Sequence, residues 1–491
     1  MPRHVRGRPR PKVPGTRDGP GVCEAVRMPR EPDAPEPPGR SDTPSWREVL
    51  QGPTGRLIVG LLLLETLFAL HFLTIATVMP AVFRDLGGLA LYGWSATAAS
   101  LGQFAAIPVA GAAVDRFGPR RLLVVVAVVY TGGLMITAFA PSMLVVVIGR
   151  FFQGVAAGAG YALSLGTVAK TLPDAHRARV LALLAATWLL PGLFGPPVGG
   201  FLATTVGWRW AFAVPLPVLA ACLILILPAM RDLPANRDQP IPLLRPLVLM
   251  LGAAAFFAGL TEPTPVTVPI LVAGLIVAVV TLNGIVPAGT FRARAGPSAA
   301  AAAAFLLSVI FAAADYYLPL MFTDVRHRSL REVSLVVAVT PFAWAGGSWW
   351  ESRQVTRRGL APLMRVGVLI LGVGFGACAA GLLTSVPLWV PYLGWAIAAL
   401  GMGIAFPIPA LAVMRVAEPG REGSDLSPTL LMDMLGVAVG AGTGGAWLAL
   451  ADRTGMGLAA GIAGSFVIAG IGVLFMLVAA GRLPAQAQGT P

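Results

Sequence analysis

Runs of about 20 consecutive apolar residues recur along this whole sequence, and that one feature leaves few folds open. Their approximate limits are 57–83, 94–114, 122–140, 143–169, 179–203, 208–229, 246–261, 267–288, 299–322, 333–350, 364–384, 388–413, 427–450 and 457–480, fourteen in all. In hydrocarbon every backbone N–H and C=O must be paired within the structure, so segments of this length are helices rather than open sheet. No stretch of strand period competes with them. With 56% hydrophobic and only 12% charged residues, and a mean hydropathy of +0.76, water could not solvate the resulting surface. The expected fold class is therefore an all-α polytopic membrane protein. The weakest run, 246–261, is short and ends at Pro263 and Pro265; with 267–288 it forms either a crossing pair or a shallow hairpin. Either choice leaves the topology of the other twelve unchanged.

A formal charge of +13 raises nucleic acid as a partner, but the positions of the basic residues argue against it. They lie in the N-terminal tail and the short loops. With a cytoplasmic N-terminus, loops on the inner side carry 17 Arg and Lys residues, from Arg116 to Arg421, against six outside: Arg84, Arg209, Arg326, Arg328, Arg331 and Arg453. That bias places both termini in the cytoplasm and requires an even number of spans. Residues 1–50, rich in Pro and Arg and without the apolar core of a signal peptide, are expected to be a disordered cytoplasmic tail, with Met28 an alternative start; 481–491 form a second tail. Lys12 and Lys170 are the only lysines, which suits a bacterium with a GC-rich genome and so a plasma (inner) membrane location. Cys23, Cys222 and Cys378 and the four histidines show no disulfide or metal-ligand spacing, so neither metal nor cofactor is expected. No Gly-rich loop ends in Lys-Ser/Thr, and no nucleophile stands with a base at helical spacing. ATP binding of that kind and enzyme activity are not expected.

An internal repeat is the next organising signal. Gly195, Gly199 and Gly200 recur 245 positions later as Gly440, Gly444 and Gly445, and Gly149 and Gly158 recur at the same offset as Gly394 and Gly403. Nearer the start of each half the offset is 239, from Pro80 to Pro319. Residues 57–229 and 299–480 are thus expected to form two six-helix bundles, with 246–288 an inserted helix pair.

The loop after the second run contains Gly111, Asp115, Arg116, Gly118, Arg120 and Arg121, an Asp among arginines beside a tight turn. It resembles the signature loop of the major facilitator superfamily, whose resemblance implies a conformational latch made by Asp115 and Arg116. In the second half Glu351 is read as standing in the acidic place. The fourth run opens with Gly149, Arg150, Gln153 and Gly154 and places Arg150, Gly154, Gly158 and Tyr161 on one helical face. It is similar to the fourth-helix motif of that superfamily, whose Arg is associated with proton coupling; the counterpart of Arg150 is Trp395. The fifth run carries Gly195, Pro196, Gly199 and Gly200, which resemble the superfamily's antiporter motif, commoner in exporters, although Pro191 occupies the place of its leading glycine. Gly207, Trp208, Arg209, Trp210 and Phe212 resemble a segment typical of the drug:proton antiporters, including those with fourteen spans. His71, Thr74, Thr77 and Pro80 resemble their first-helix pattern, with His71 replacing an Asp and Thr77 an Asn.

Besides Arg150, the ionisable residues inside apolar runs are Glu65, His71, Asp315 and Asp433. A charge at mid-bilayer costs roughly 2.5–3.5 kcal/mol on insertion scales, so each should face a wet cavity or a partner. Helical period puts Glu65 on the face opposite His71, Thr74 and Thr77. Asp315 and Glu65 are expected to carry protons, Asp433 ranks after them, and His71 is a candidate switch near neutral pH. Phe68, Phe72, Gln153, Tyr161, Trp188 and Trp344 are candidates for lining a substrate cavity. The resemblance implies a monomer exporting lipophilic drugs or metabolites against protons by alternating access. A specific metabolite importer or exporter of the same fold is the alternative, and a membrane-embedded enzyme or sensor the remote one.

Overall fold

The computed structural model describes residues 52–172, 189–230, 243–416 and 422–483, with positions 180, 183, 184 and 187 between the first two stretches. The expected tail 1–50, residues 484–491 of the second tail, and Trp188 lie outside the described residues. Fourteen long helices follow one another: α1 Gly52–Leu86, α2 Trp94–Phe117, α3 Pro119–Ala138, α4 Met143–Thr171, α5 Leu189–Thr205, α6 Pro215–Ala229, α7 Leu244–Thr261, α8 Thr267–Asn283, α9 Pro297–Asp315, α10 Thr340–Arg358, α11 Leu360–Ala380, α12 Trp389–Ala405, α13 Glu422–Arg453 and α14 Leu458–Ala479. Among the described residues there is no strand. Eleven of these helices, with the short pieces that extend them, are long and apolar enough to cross a membrane; α8 is apolar but shorter. The two others are α5, which starts beside undescribed residues, and α10, whose sequence includes Glu351 and several arginines.

Several expected runs are broken where a proline removes a backbone donor. The short helix Trp210–Ala213 gives way to α6 at Pro215, and Leu330–Val337 to α10 at Thr340 and Pro341. Pro407 separates Pro407–Met414 from α12. Helix α9 ends at Asp315 and continues as Leu318–Leu320 and a π-helical turn, Met321–Val325, around Pro319.

The packing repeats along with the sequence. In the first half α1 packs on α5 and α6, and α4 on α2 and α3; in the second, α9 packs on α13 and α14, and α12 on α10 and α11. Glycines set these approaches. A Cβ on Gly195 would come within 3.3 Å of the Leu70 carbonyl, and one on Gly440 within 2.5 Å of the Val309 carbonyl. Those two contacts are related by offsets of 245 on the glycines and 239 on their partners. Gly118 and Gly359 end α2 and α10 at φ 80° and 76°, values that suit glycine alone. Counting back from these paired turns corrects one expectation: Thr356, not Glu351, holds the place of Asp115, and Glu351 sits five residues deeper. The halves meet along α2 against α13 and along α5 against Leu330–Val337, and α7 of the inserted pair lies against α2 and α13, with α8 packed on α7.

Candidate functional site

Two of the membrane carboxylates are held by a serine on a neighbouring helix. Ser164 of α4 donates to Glu65 Oε1 of α1 at 2.8 Å, and Ser308 of α9 donates to Asp433 Oδ1 of α13. Glu65 and Asp433 therefore belong to opposite halves, each held by a hydroxyl of the neighbouring helix. Asp315, half-buried at the end of α9, takes no hydrogen bond from any described residue. It shares a helical face with Phe311, one turn earlier, which is also half-buried. Neither serine was singled out in the sequence, because nothing local distinguishes a hydroxyl that meets an acid 99 or 125 positions away.

His71 turns away from Glu65, as the helical period requires. Its Nδ1 pairs with the Tyr130 hydroxyl at 2.8 Å, its ring meets Phe212 edge-on, and its buried Nε2 has no hydrogen-bond partner. Arg150 is buried at the seam between α4 and the start of α2. Its Nε donates to the Ser95 carbonyl at 3.3 Å and its Nη1 to Gln153 Oε1 at 2.7 Å. Gln153 in turn donates from Nε2 to the Gly133 carbonyl and Thr137 Oγ1, both at 3.0 Å. The second half repeats the geometry with different chemistry. Trp395 donates its indole N–H to Thr340 Oγ1 at 2.8 Å, and the pair Trp395–Thr340 lies 245 residues after Arg150–Ser95. Around Trp395 stands an aromatic group: Phe311 at 5.6 Å, Phe375 at 6.3 Å, and Trp344 edge-on to Phe311 at 5.5 Å. At this repeated position one half is thus polar and the other aromatic.

Of the cavity candidates, Tyr161, Phe72 and Trp344 are half-buried, whereas Phe68 and Gln153 are sealed. Phe68 packs edge-on to Tyr130 at 5.0 Å, and Phe72 edge-on to Tyr316 of the other half at 6.3 Å. The antiporter-like glycines face α1 and the opposite half. The Thr74 hydroxyl donates to the Gly195 carbonyl at 3.2 Å, a Cβ on Gly199 would stand 2.8 Å from the Thr74 carbonyl, and one on Gly200 would strike Ser334. Pro196 is buried beside them. In the signature loop Asp115 pairs with Lys170 of its own half at 2.7 Å, while the Arg116 guanidinium lies over Phe117 at 5.5 Å. Arg120 is exposed, and nothing lies within 4 Å of a Cβ placed on Gly111.

At the other end of the bundle the halves are tied together. Arg84 makes a paired contact with Asp324, 3.0 and 3.2 Å, and Arg331 reaches Thr204 at 3.3 Å. Tyr317 donates to the Ala441 carbonyl and packs against Tyr92, and Gly93 abuts Gly445 so closely that a Cβ would fall 2.7 Å from its Cα. This is the end that the arginine distribution assigns to the outside, and here it is closed.

The chain matches the profile of the Major Facilitator Superfamily over residues 61–441. It is 28% identical to a probable multidrug-efflux transporter of Mycobacterium tuberculosis, over 88% of this chain and 96% of that protein. A multidrug resistance protein B homolog of the same organism is 29% identical, over 81% and 78%. Among solved structures, an auto-inhibited POT family peptide transporter superposes with a TM-score of 0.65 at 15% identity, covering 89% of this chain and 99% of that one. A bacterial homolog of the human lysosomal transporter Spinster, inward-facing and unoccupied, gives 0.64 at 14%, covering 88% and 98%. A profile match across most of the chain, with a fold shared by solved transporters, establishes that this chain belongs to the Major Facilitator Superfamily.

Proposed function

We propose that this chain is a proton-coupled exporter of lipophilic drugs or metabolites, working as a monomer in a bacterial plasma membrane with both termini in the cytoplasm. The observation that carries the reading is a serine-held carboxylate inside the apolar helices of each half, Glu65 with Ser164 and Asp433 with Ser308. A carboxyl at this depth is costly when charged, so taking up a proton removes a penalty, and an arriving cation can compensate the charge that a departing proton leaves behind. A change of charge in either half can shift the balance between two arrangements of the halves. Asp315, half-buried and with no hydrogen bond from a described residue, is the first proton carrier in this reading, and Glu65 the second. Each elementary charge moved through 100 mV supplies about 2.3 kcal/mol, before any pH gradient is added. The efflux relatives and the Gly195, Pro196, Gly199, Gly200 segment support the outward direction. In the alternate state Asp115 would leave Lys170 and, with Arg116, latch the inner side.

The test is transport into inverted vesicles, with lumenal pH followed against a panel of lipophilic cations and neutral compounds. Uptake that alkalinises the lumen is expected, reduced at least tenfold in Asp315→Asn or Glu65→Gln. Coupled uptake that survives both substitutions would overturn the assignment of the carriers. Uptake unchanged after the gradient is collapsed would overturn the coupling itself.

A further inference from the structure

The inserted pair α7–α8 has no counterpart in the repeat, and its tip contacts both halves at the closed end. Thr261, the last residue of α7, is buried there. Its hydroxyl accepts the indole N–H of Trp94, the first residue of α2, at 2.9 Å. Its carbonyl accepts from Arg453 Nη2, at the end of α13, at 2.5 Å. The same guanidinium lies 3.6 Å from Glu262 Oε1. One turn earlier Phe257 is buried edge-on to Trp94 at 6.4 Å and against Gly442, where a Cβ would fall 2.6 Å from its ring. A single residue thus bonds to the first half with its side chain and to the second with its backbone.

We propose that the inserted pair is a strap that holds the outer end closed through Thr261. Helices α2 and α13 form one of the two seams between the halves, so opening that end must move Trp94 relative to Arg453. Thr261 cannot follow both. Opening therefore breaks either the indole bond or the guanidinium contacts, and the strap biases the protein toward the arrangement seen here. Separation of α2 and α13 without any such element would be opposed by the Arg84–Asp324 pair, the Arg331–Thr204 and Thr97–Ala438 hydrogen bonds, and the tyrosine and glycine contacts. The proposal rests on alternating access only in requiring that the outer ends separate, and its test measures that separation without substrate or protons.

Spin labels at Val206→Cys and Leu383→Cys, exposed positions at the same end in opposite halves and remote from the strap, report the opening by pulsed electron resonance. The full-length chain is used with its three native cysteines replaced. Thr261→Val keeps the side-chain volume and removes the indole's acceptor; Arg453→Met removes the guanidinium contacts. Each is expected to raise the ratio of long to short distances roughly two- to tenfold, the range set by one lost hydrogen bond. The double variant should exceed either, and Thr261→Ser, which keeps the acceptor, should leave the ratio unchanged. Folded Thr261→Val and Arg453→Met proteins with the parent's distance distribution would overturn the proposal. So would a Thr261→Ser protein shifted as far as Thr261→Val.

Discussion

A guanidinium does not shed its proton inside a protein, so a buried arginine must keep acceptors or lose stability. Arg150 has two here, the Ser95 carbonyl and Gln153 Oε1, and Gln153 is itself fixed by Gly133 and Thr137. Replacing Gln153 by Leu would remove the acceptor and leave the charge short of a partner. A loss of about 2 kcal/mol in stability is expected, within the usual 1–3 kcal/mol for a charged hydrogen bond broken from one side. Thermal unfolding in detergent reads it as a lower Tm, and Gln153→Glu, which keeps an oxygen facing Arg150 but loses the N–H donated to the Gly133 carbonyl, should recover only part of the difference. At this scale the sequence told which residues needed company but not what company they keep. Arg150 stood out as a cation in an apolar run, and His71 and Glu65 fell on opposite faces by period alone. Ser164, Tyr130 and Ser308 could not be found that way, because they are ordinary helix residues whose partners lie 59 to 125 positions distant.

Between helices the glycines separate into two kinds, and the sequence does not distinguish them. On α4 a Cβ at Gly154 would stand 1.9 Å from the Ala99 carbonyl, and at Gly158 2.2 Å from that of Gln103; Gly403, the repeat of Gly158, meets the Trp344 carbonyl at 2.1 Å. These contacts are with backbone, which cannot rotate aside. Gly154→Val is therefore expected to push α2 from α4 and destabilise by 3 kcal/mol or more, beyond the ordinary ~1–3 kcal/mol of overpacking. Gly111 of the signature loop has open space where its Cβ would be. Gly111→Ala should change Tm by less than a degree or two, since surface changes without contacts stay within about 0.5 kcal/mol. If transport nonetheless falls, the glycine is required in a conformation other than this one, where α2 has moved. Each of the fourteen apolar runs overlaps one of the long helices, eleven of which are long and apolar enough to cross a membrane, whereas the breaks at Pro215, Pro319, Pro341 and Pro407 were not read from the runs. The second-half acidic place was misread, since residue type was matched where only the turn glycines, Gly118 and Gly359, fix the register.

For the molecule as a whole, the open question of the sequence was whether 246–288 crosses the membrane or dips into it. Helix α7 has 18 residues and α8 has 17, so at 1.5 Å per residue each rises about 25–27 Å, close to the ~30 Å of a hydrocarbon core. Length alone does not decide between them; the partners of the tip argue for a crossing. Thr261 meets Trp94 and Arg453, which stand at the ends of two helices, α2 and α13, that meet the length and hydropathy of a full crossing. The turn at Thr264 must therefore lie at the same level as those ends, on the side opposite Gly289. A cysteine placed at Thr264 should react with an impermeant maleimide in intact cells, and one at Gly289 only in inverted vesicles. The three native cysteines, Cys23, Cys222 and Cys378, are replaced beforehand to remove background. Labelling of both positions from the same side would mean that the pair does not cross, and Thr261 could not then reach both helix ends at once. Labelling of Gly289 in intact cells and Thr264 only in inverted vesicles would instead reverse the orientation drawn from the arginines, leaving the crossing intact and placing the closed end of the bundle on the cytoplasmic side.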